Sequence, residues 1–284
     1  MKKRSREALF FQILRLGTYV TVSIVVALLA YLVYMGSDML SFSFVTSFPR
    51  EGMTAGGIYP AVVGTLYLMA LVLLLSLPLG VAAAVYLSEY AGERESRLVK
   101  IIRIATANLA GVPSIVYGLL GLGLFVLFLG FGFSLLSASL TLSLLTLPVI
   151  ITASVEALKT VPHSYREAAL ALGATKWQTT KRVVFPHALP GILTASIIGL
   201  SRAAGETAPI MMTGVAYFLS GLPRSVIDQF MALPFHIFAL STQSPNPDLT
   251  RPIQFGAVLV LLLLVLSMNL VAILLRTYYR RRLS

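Results

Sequence analysis

An all-α integral membrane protein that crosses the bilayer six times is the fold class this sequence predicts. Three observations predict it. The chain is 57% hydrophobic and 12% charged, whereas a soluble domain carries about 25% charged residues. Apolar runs long enough to span a bilayer as helices recur along its length. The basic residues collect in alternate connecting segments, as the positive-inside rule requires of a membrane protein.

Six apolar spans are expected, at about 10–35, 58–87, 104–129, 134–155, 188–217 and 254–275. With the N-terminus in the cytoplasm, 18 Lys and Arg residues fall on the cytoplasmic side. Only Arg50, Arg224 and Arg251 fall outside, and Arg202 is left within a span. Both termini are then cytoplasmic. The formal charge of +11 is a topology and lipid-contact signal, not a nucleic-acid surface. Cysteine is absent, which excludes disulfides and thiol chemistry. His163, His187 and His236 have no metal-ligand spacing, and no phosphate-binding Gly-x-x-x-x-Gly-Lys-Ser/Thr loop occurs.

The start, Met1-Lys-Lys-Arg-Ser-Arg6 and a long apolar run, reads as a retained first span rather than a signal peptide, because no small-x-small cleavage site follows it. Residues 1–56 form an N-terminal arm, first span and outer linker; residues 57–279 form the working domain; residues 280–284 are a basic tail. Pro78 and Gly80 predict a kink near the cytoplasmic end of the second span. Between 88 and 103, Glu89, Glu93 and Glu95 mix with Arg94, Arg97, Lys100 and Arg103. The last three of these basic residues recur every three positions with Leu98, Ile101 and Ile102 between them, which predicts an amphipathic surface helix. In the third span the small pairs Ala107/Gly111 and Ser114/Gly118 predict close helix approach, and Asn108, Ser114 and Tyr117 read as helix–helix hydrogen-bonding groups, with substrate contact the other reading. Gly130-Phe-Gly132 predicts a tight outer turn.

The segment 156–190 predicts helix–turn–helix. Ser164-x-x-Glu167 reads as a capping box. Tyr165, Ala168, Ala169 and Leu172 then form one apolar face, and Gly173 supplies the left-handed stop. Thr175-x-x-Gln178 reads as a second capping box, opening a helix that ends before Pro186. A helix of about nine residues is marginal alone in water. Its apolar face must pack either on this chain's own helix ends or in a groove of a cytoplasmic partner.

Glu167-Ala168-Ala169, then Gly173, then Val183-x-Phe185-Pro186 resembles the Glu-Ala-Ala loop of ATP-binding-cassette (ABC) importer permeases. That resemblance implies a type I permease fold and a coupling helix seated on a separate ATPase. This explains a transporter without a nucleotide-binding loop of its own.

The fifth span carries Arg202 and Glu206, and a charge at the centre of a span costs about 3 kcal/mol. The two lie at i, i+4 on one face. Gly205 and Pro209 predict a kink beside them, with Gly205 also letting other backbone come close. Broken helices at depth mark substrate sites in transporters. The other reading is a structural ion pair to a neighbouring helix. An Arg fork matches a tetrahedral oxyanion. A carboxylate beside it repels a fully ionised anion and accepts a hydrogen bond from a protonated one.

Arg202-Ala-Ala-Gly-Glu206-Thr-Ala-Pro209, together with Ala110-Gly-Val-Pro-Ser-Ile-Val-Tyr-Gly118, resembles the phosphate-specific importer permeases, the PstA and PstC families. Phe230 to Gln243 favours the former. The resemblance implies that Arg202 and Glu206 act in phosphate passage. It implies four kinds of partner: a second, PstC-like permease, a dimer of PstB-like ATPases holding ATP and Mg, an extracytoplasmic PstS-like phosphate-binding protein, and membrane lipids. No cofactor is expected on this chain, and no catalysis. The location implied is the bacterial or archaeal cytoplasmic membrane. The rival readings are a permease for sulfate or molybdate and an ATPase-independent secondary carrier. The outer segment 218–253 is either a lid on the bundle or a docking face for the binding protein, and His236 within it is expected to be interfacial.

Overall fold

Helix dominates because a chain this apolar must satisfy its backbone hydrogen bonds within each segment. A computed structural model describes residues 2–91 and 97–283, with the side chains of 2–9, 98, 280, 282 and 283 not described. Glu93, Arg94 and Glu95, and the side chain of Leu98, expected in the amphipathic helix, therefore lie outside the described residues.

The long first helix α1 (Lys2–Gly36) packs along the final helix and exposes its apolar residues elsewhere, with Tyr31 set edge-on to Phe255 at 5.7 Å. A short helix α2 (Phe42–Thr46), capped by Ser41, and a two-stranded antiparallel turn, β1 (Pro49–Arg50) with β2 (Ala55–Gly56), lead to α3 (Tyr59–Val85). That helix continues as a π-type turn, Tyr86–Tyr90. It runs unbroken through Pro78, and Gly80 does not mark a kink. Gly80 lets α3 close on the next long helix, where its position faces Ile150 Cγ2 at 2.7 Å.

The expected third span is not one straight helix. Helix α4 (Arg97–Ala110) and α5 (Ser114–Gly121), the latter extended by a π-type stretch to Phe128, meet at 107°. Pro113 cannot continue a helix from Val112, and its extended ψ of 139° opens the new one. The Tyr117 hydroxyl braces the elbow by donating to the Leu109 carbonyl at 2.9 Å, so its bond lies within the elbow and not between separate spans. Among the described residues the side chains of Asn108 and Ser114 make no such bond, and Ala107 is exposed. Of the expected small pairs, Gly118 alone makes a close interhelical approach.

Gly130 and Gly132 adopt positive φ in the outer turn. The central helix α6 (Leu135–Lys159) follows, capped by Ser134. It packs against α3, α4, α5 and the fifth span, with small residues at the contacts in place of a hydrophobic driving force. After it come α7 (His163–Ala171), α8 (Lys176–Thr179), and α9 (Phe185–Ala204), joined to α8 by a π-type stretch. The helix opened at Thr175 does not stop before Pro186. Pro186 sits in the first turn of α9, where its missing N–H is accommodated by the π-type register. Lys176 to Ala204 therefore runs as one segment.

The fifth span ends at Ala204, short of the expected 217. A four-residue helix α10 (Ala208–Met211), a folded outer segment with α11 (Leu233–Thr242), and the long α12 (Pro247–Leu283) complete the chain. Among the described residues five helices are long and apolar enough to cross a membrane, and six spans result if the bent α4–α5 pair is counted as one. The outer segment folds back on the bundle. Phe230 to Leu233 are fully buried, and Leu233 N–H donates to Thr65 Oγ1 at 2.9 Å. His236 is buried rather than interfacial, and neither ring nitrogen has a hydrogen-bond partner among the described residues.

Candidate functional site

Two places concentrate polar chemistry. The first is the end of α9. Arg202 lies 17 residues from Phe185, about 25 Å along a helix axis. The helix does not kink here; it stops. Gly205 is its C-cap with φ −101°. It is exposed and no other backbone approaches it, the nearest atom to an added Cβ being its own turn's Arg202 carbonyl at 4.0 Å. Pro209 lies in the first turn of α10, where a proline displaces no helical hydrogen bond.

Across this break Arg202 Nε lies 3.6 Å from Glu206 Oε1, with the side chains 39% and 17% exposed. The pair is therefore formed within the segment and not with a neighbouring helix. That distance is an ion pair and too long for a good hydrogen bond. Among the described residues the guanidinium makes no side-chain hydrogen bond, so its donors stay available to an anion. Beside it Ser201 Oγ donates to Asn269 Oδ1 at 2.7 Å, tying α9 to α12.

The two stretches noted on either side of the chain meet at this break. The Gly118 position of α5 faces Pro209 Cα at 3.1 Å, Ala208 O at 3.2 Å and Met212 Sδ at 3.0 Å. Only glycine permits that approach without displacing α10. Thr213 Oγ1 donates to the Pro209 carbonyl at 2.8 Å, and Ser134 N–H donates to the Thr213 carbonyl at 3.1 Å. The segment after the break is thus held by α5 and by the start of α6.

The second place is the α7 loop. Its first capping box does not form. Pro162, with ψ 140°, is the N-cap, so the helix begins at His163 and Ser164 falls inside the first turn with no N–H to cap. Glu167 instead meets His163 Nδ1 at 3.2 Å on an exposed surface. The second box forms in full. Gln178 N–H donates to Thr175 Oγ1 at 3.3 Å, and Thr175 N–H donates to Gln178 Oε1 at 2.8 Å. Gly173 takes φ +83°, with Gly173 N–H bonded to the Leu170 carbonyl and Ala174 N–H to the Ala169 carbonyl, the Schellman pattern of a helix stop. The apolar face does not pack inward. No residue of α7 is buried, Tyr165 and Ala168 are exposed, and Leu172 is 90% exposed.

Sequence reasoning missed one contact here. Arg166 reaches Glu89, 77 residues away, in a paired hydrogen bond (2.8 and 3.1 Å). No spacing rule exposes so distant a pair.

This bundle, with a broken helix at depth and a short exposed helix on a loop between spans, defines a transporter's membrane subunit. The chain belongs to the family described as binding-protein-dependent transport system inner membrane component, which matches residues 76–284. Among its relatives, the phosphate transport system permease protein PstA 1 of Mycobacterium tuberculosis is 39% identical over 234 residues, covering 80% of this chain and 73% of the relative. A probable ABC transporter permease protein, YqgI of Bacillus subtilis, is 32% identical over 273 residues and 92% of both chains. A probable PstA of Methanocaldococcus jannaschii is 34% identical, covering 76% of this chain and 74% of the relative. The fold resembles that of a bacterial alginate ABC transporter crystallised with an alginate-bound periplasmic protein, with TM-score 0.67, 17% identity, and 99% and 97% of the two chains covered. It also resembles the MetNI methionine ABC transporter in an inward-facing conformation, with TM-score 0.58, 19% identity, and 78% and 97% covered.

Proposed function

We propose that this chain is the permease subunit of an ABC importer that carries inorganic phosphate inward. The observation that carries the substrate is the Arg202–Glu206 pair at the helix break, with its guanidinium donors free and its carboxylate sheltered. Arg202 holds an oxyanion by charge-assisted hydrogen bonds. Glu206 accepts the hydrogen of a protonated anion such as hydrogen phosphate and repels sulfate, which has no hydrogen to offer. The phosphate permeases among the relatives support the same substrate.

In this reading the chain is not itself an enzyme and holds no cofactor; ATP and Mg sit on a separate ATPase dimer. The exposed face of α7, with Tyr165, Ala168 and Leu172, docks in a groove of that dimer, and nucleotide-driven closure moves the spans. A second, similar permease completes the pathway opposite Arg202. An extracytoplasmic phosphate-binding protein delivers the anion to the outer segment. The subunit sits in a bacterial or archaeal cytoplasmic membrane with both termini and α7 in the cytoplasm.

Uptake of labelled phosphate by cells carrying the whole importer tests this, with Arg202→Gln compared at equal membrane expression and excess sulfate and molybdate as competitors. Loss of at least nine-tenths of the uptake, with the ATPase still co-purifying, is expected. Normal uptake in the variant would make Arg202 structural. Competition by the excess sulfate or molybdate would move the substrate to another oxyanion.

A further inference from the structure

The coupling helix α7 buries none of its side chains, and its aromatic contact, Tyr165 set edge-on to His187 of α9 at 5.1 Å, lies on an exposed surface. Of its nine residues only Arg166 and Ala169 are even partly shielded by the rest of the chain. The helix therefore needs some other anchor, and one guanidinium supplies it. Arg166 Nε donates to Glu89 Oε2 at 3.1 Å and Nη2 to Glu89 Oε1 at 2.8 Å. Nη1 donates to the Val161 carbonyl at 2.7 Å, and Nη2 also donates to the Leu158 carbonyl at 2.9 Å. The Arg166 and Glu89 side chains are 15% and 7% exposed. Leu158 lies in the last turn of α6 and Val161 just beyond it, so Arg166 joins the ends of α3 and α6 to α7.

The Glu89 side of this junction is also built. Glu89 lies in the π-type turn Tyr86–Tyr90, and Ser88 Oγ donates to its Oε1 at 3.1 Å. In the same turn the Leu87 carbonyl accepts from Arg103 Nη2 of α4 at 3.2 Å, and Lys176 of α8 stands 5.2 Å above the Tyr90 ring. Single π-type turns within helices are frequent at functional sites. This one receives a basic side chain from each of α4, α7 and α8.

We infer that Arg166 and Glu89 are a positioning pair that makes α7 move as one body with α3 and α6, so that motion imposed on the loop reaches the spans. The inference rests on the reading of α7 as the ATPase-coupling helix. A bidentate, desolvated pair fixes direction as well as distance, which an apolar contact does not. It also leaves the apolar residues of α7 free for the partner. Lysine replaces this arginine only in part, because a single ammonium keeps the charge beside Glu89 but cannot present the planar fork and still reach two carbonyls.

The test uses the complete importer in proteoliposomes, reading phosphate uptake and ATP hydrolysis together. In R166Q and in E89Q the ATPase subunits are expected to co-purify and hydrolyse ATP, while phosphate moved per ATP falls at least tenfold. R166K, the variant to use if R166Q does not insert, is expected to recover part of that ratio. The double variant E89Q/R166Q is expected to be no worse than the poorer single one, because the two residues act as a unit. An unchanged ratio in R166Q or E89Q, or losses that multiply in the double variant, would overturn the inference. The reading of α7 is tested separately. The chain has no native cysteine, so L172C carries one thiol on which a photo-crosslinker can be placed. Capture of the ATPase by that probe upholds the coupling reading whatever the ratio shows. Failure to capture it overturns that reading and the positioning role with it.

Discussion

Glu206→Gln is the substitution that separates an oxyanion filter from a structural ion pair. An anion seated on the free donors of Arg202 lies on the order of 5 Å from the Glu206 carboxylate, given the 3.6 Å already separating the two side chains. At an effective dielectric of about 20 the repulsion is roughly 3 kcal/mol per unit charge. Arg202 is 39% exposed, and solvent screening on that side reduces the usable part to about 1.5 kcal/mol. That corresponds to about tenfold in affinity. Hydrogen phosphate offsets the repulsion by donating its hydrogen to the carboxylate; sulfate cannot. The wild type therefore favours phosphate, and the glutamine variant loses about tenfold of that preference, mainly by admitting sulfate. Because an external binding protein selects its anion first, the assay must omit it. Phosphate and sulfate are titrated against the purified membrane complex, and thermal stabilisation gives the two half-saturating concentrations. A ratio that does not change between wild type and Glu206→Gln would refute the filter.

Further consequences follow from the same geometry. Gly118→Leu places a side chain against the backbone of Ala208 and Pro209; overpacking of about 1–3 kcal/mol lowers the thermal midpoint of the complex by several degrees and abolishes uptake, whereas Gly123→Leu, at a position with open space, does neither. Thr175→Ala removes the Gln178 N–H to Thr175 Oγ1 bond of the capping box and costs about 1 kcal/mol, read as faster amide exchange across 175–180 with Lys159 to Val161 unaffected. Burial lowers the pKa of His236 to about 4, against an ordinary value of 6.5. The unfolded chain therefore binds the proton first, and stability falls as pH drops from about 6.5 towards 4, by up to about 1.4 kcal/mol per pH unit. His236→Phe removes that slope, which pH-dependent melting of the two proteins measures.

Much of the bundle was legible because apolar length and turn chemistry act locally. The spans at α3 and α6, the Gly130–Gly132 turn and the Thr175 box needed no information from elsewhere in the chain. The failures are places where two local signals compete or where the partner is distant. Ser164 offered a cap, but Pro162 fixed the chain direction two residues earlier and took the N-cap role. Residues 104–129 read as one span because they are apolar throughout, and the corner at Gly111-Val-Pro113 shows only in the fold, where Gly118 meets α10. Pro186 signalled a stop, yet a π-type register carried the helix through. His236 read as interfacial rather than as a ligand because no second candidate ligand stands near it in the sequence, and its burial came from the fold of the outer segment. At the candidate site, Arg202 and Glu206 were visible by spacing. The replacement of a kink by a complete break depended on α5 and α6 gripping the residues that follow.

The right-angled corner at Gly111–Pro113 also sets a demand on the surrounding lipid. From Ser114 to Phe128 the arm beyond the corner holds 15 residues, about 22 Å of helix, against a hydrocarbon thickness of about 30 Å. Where that arm alone faces lipid across the bilayer, it falls short by as much as about 8 Å, and mismatch of this kind costs a fraction of a kcal/mol for every ångström. A neighbouring protein seated along the arm removes the deformation. The short wall is in this sense adhesive: bilayer elasticity, acting on a corner made by one proline, drives the subunit to find company on that side.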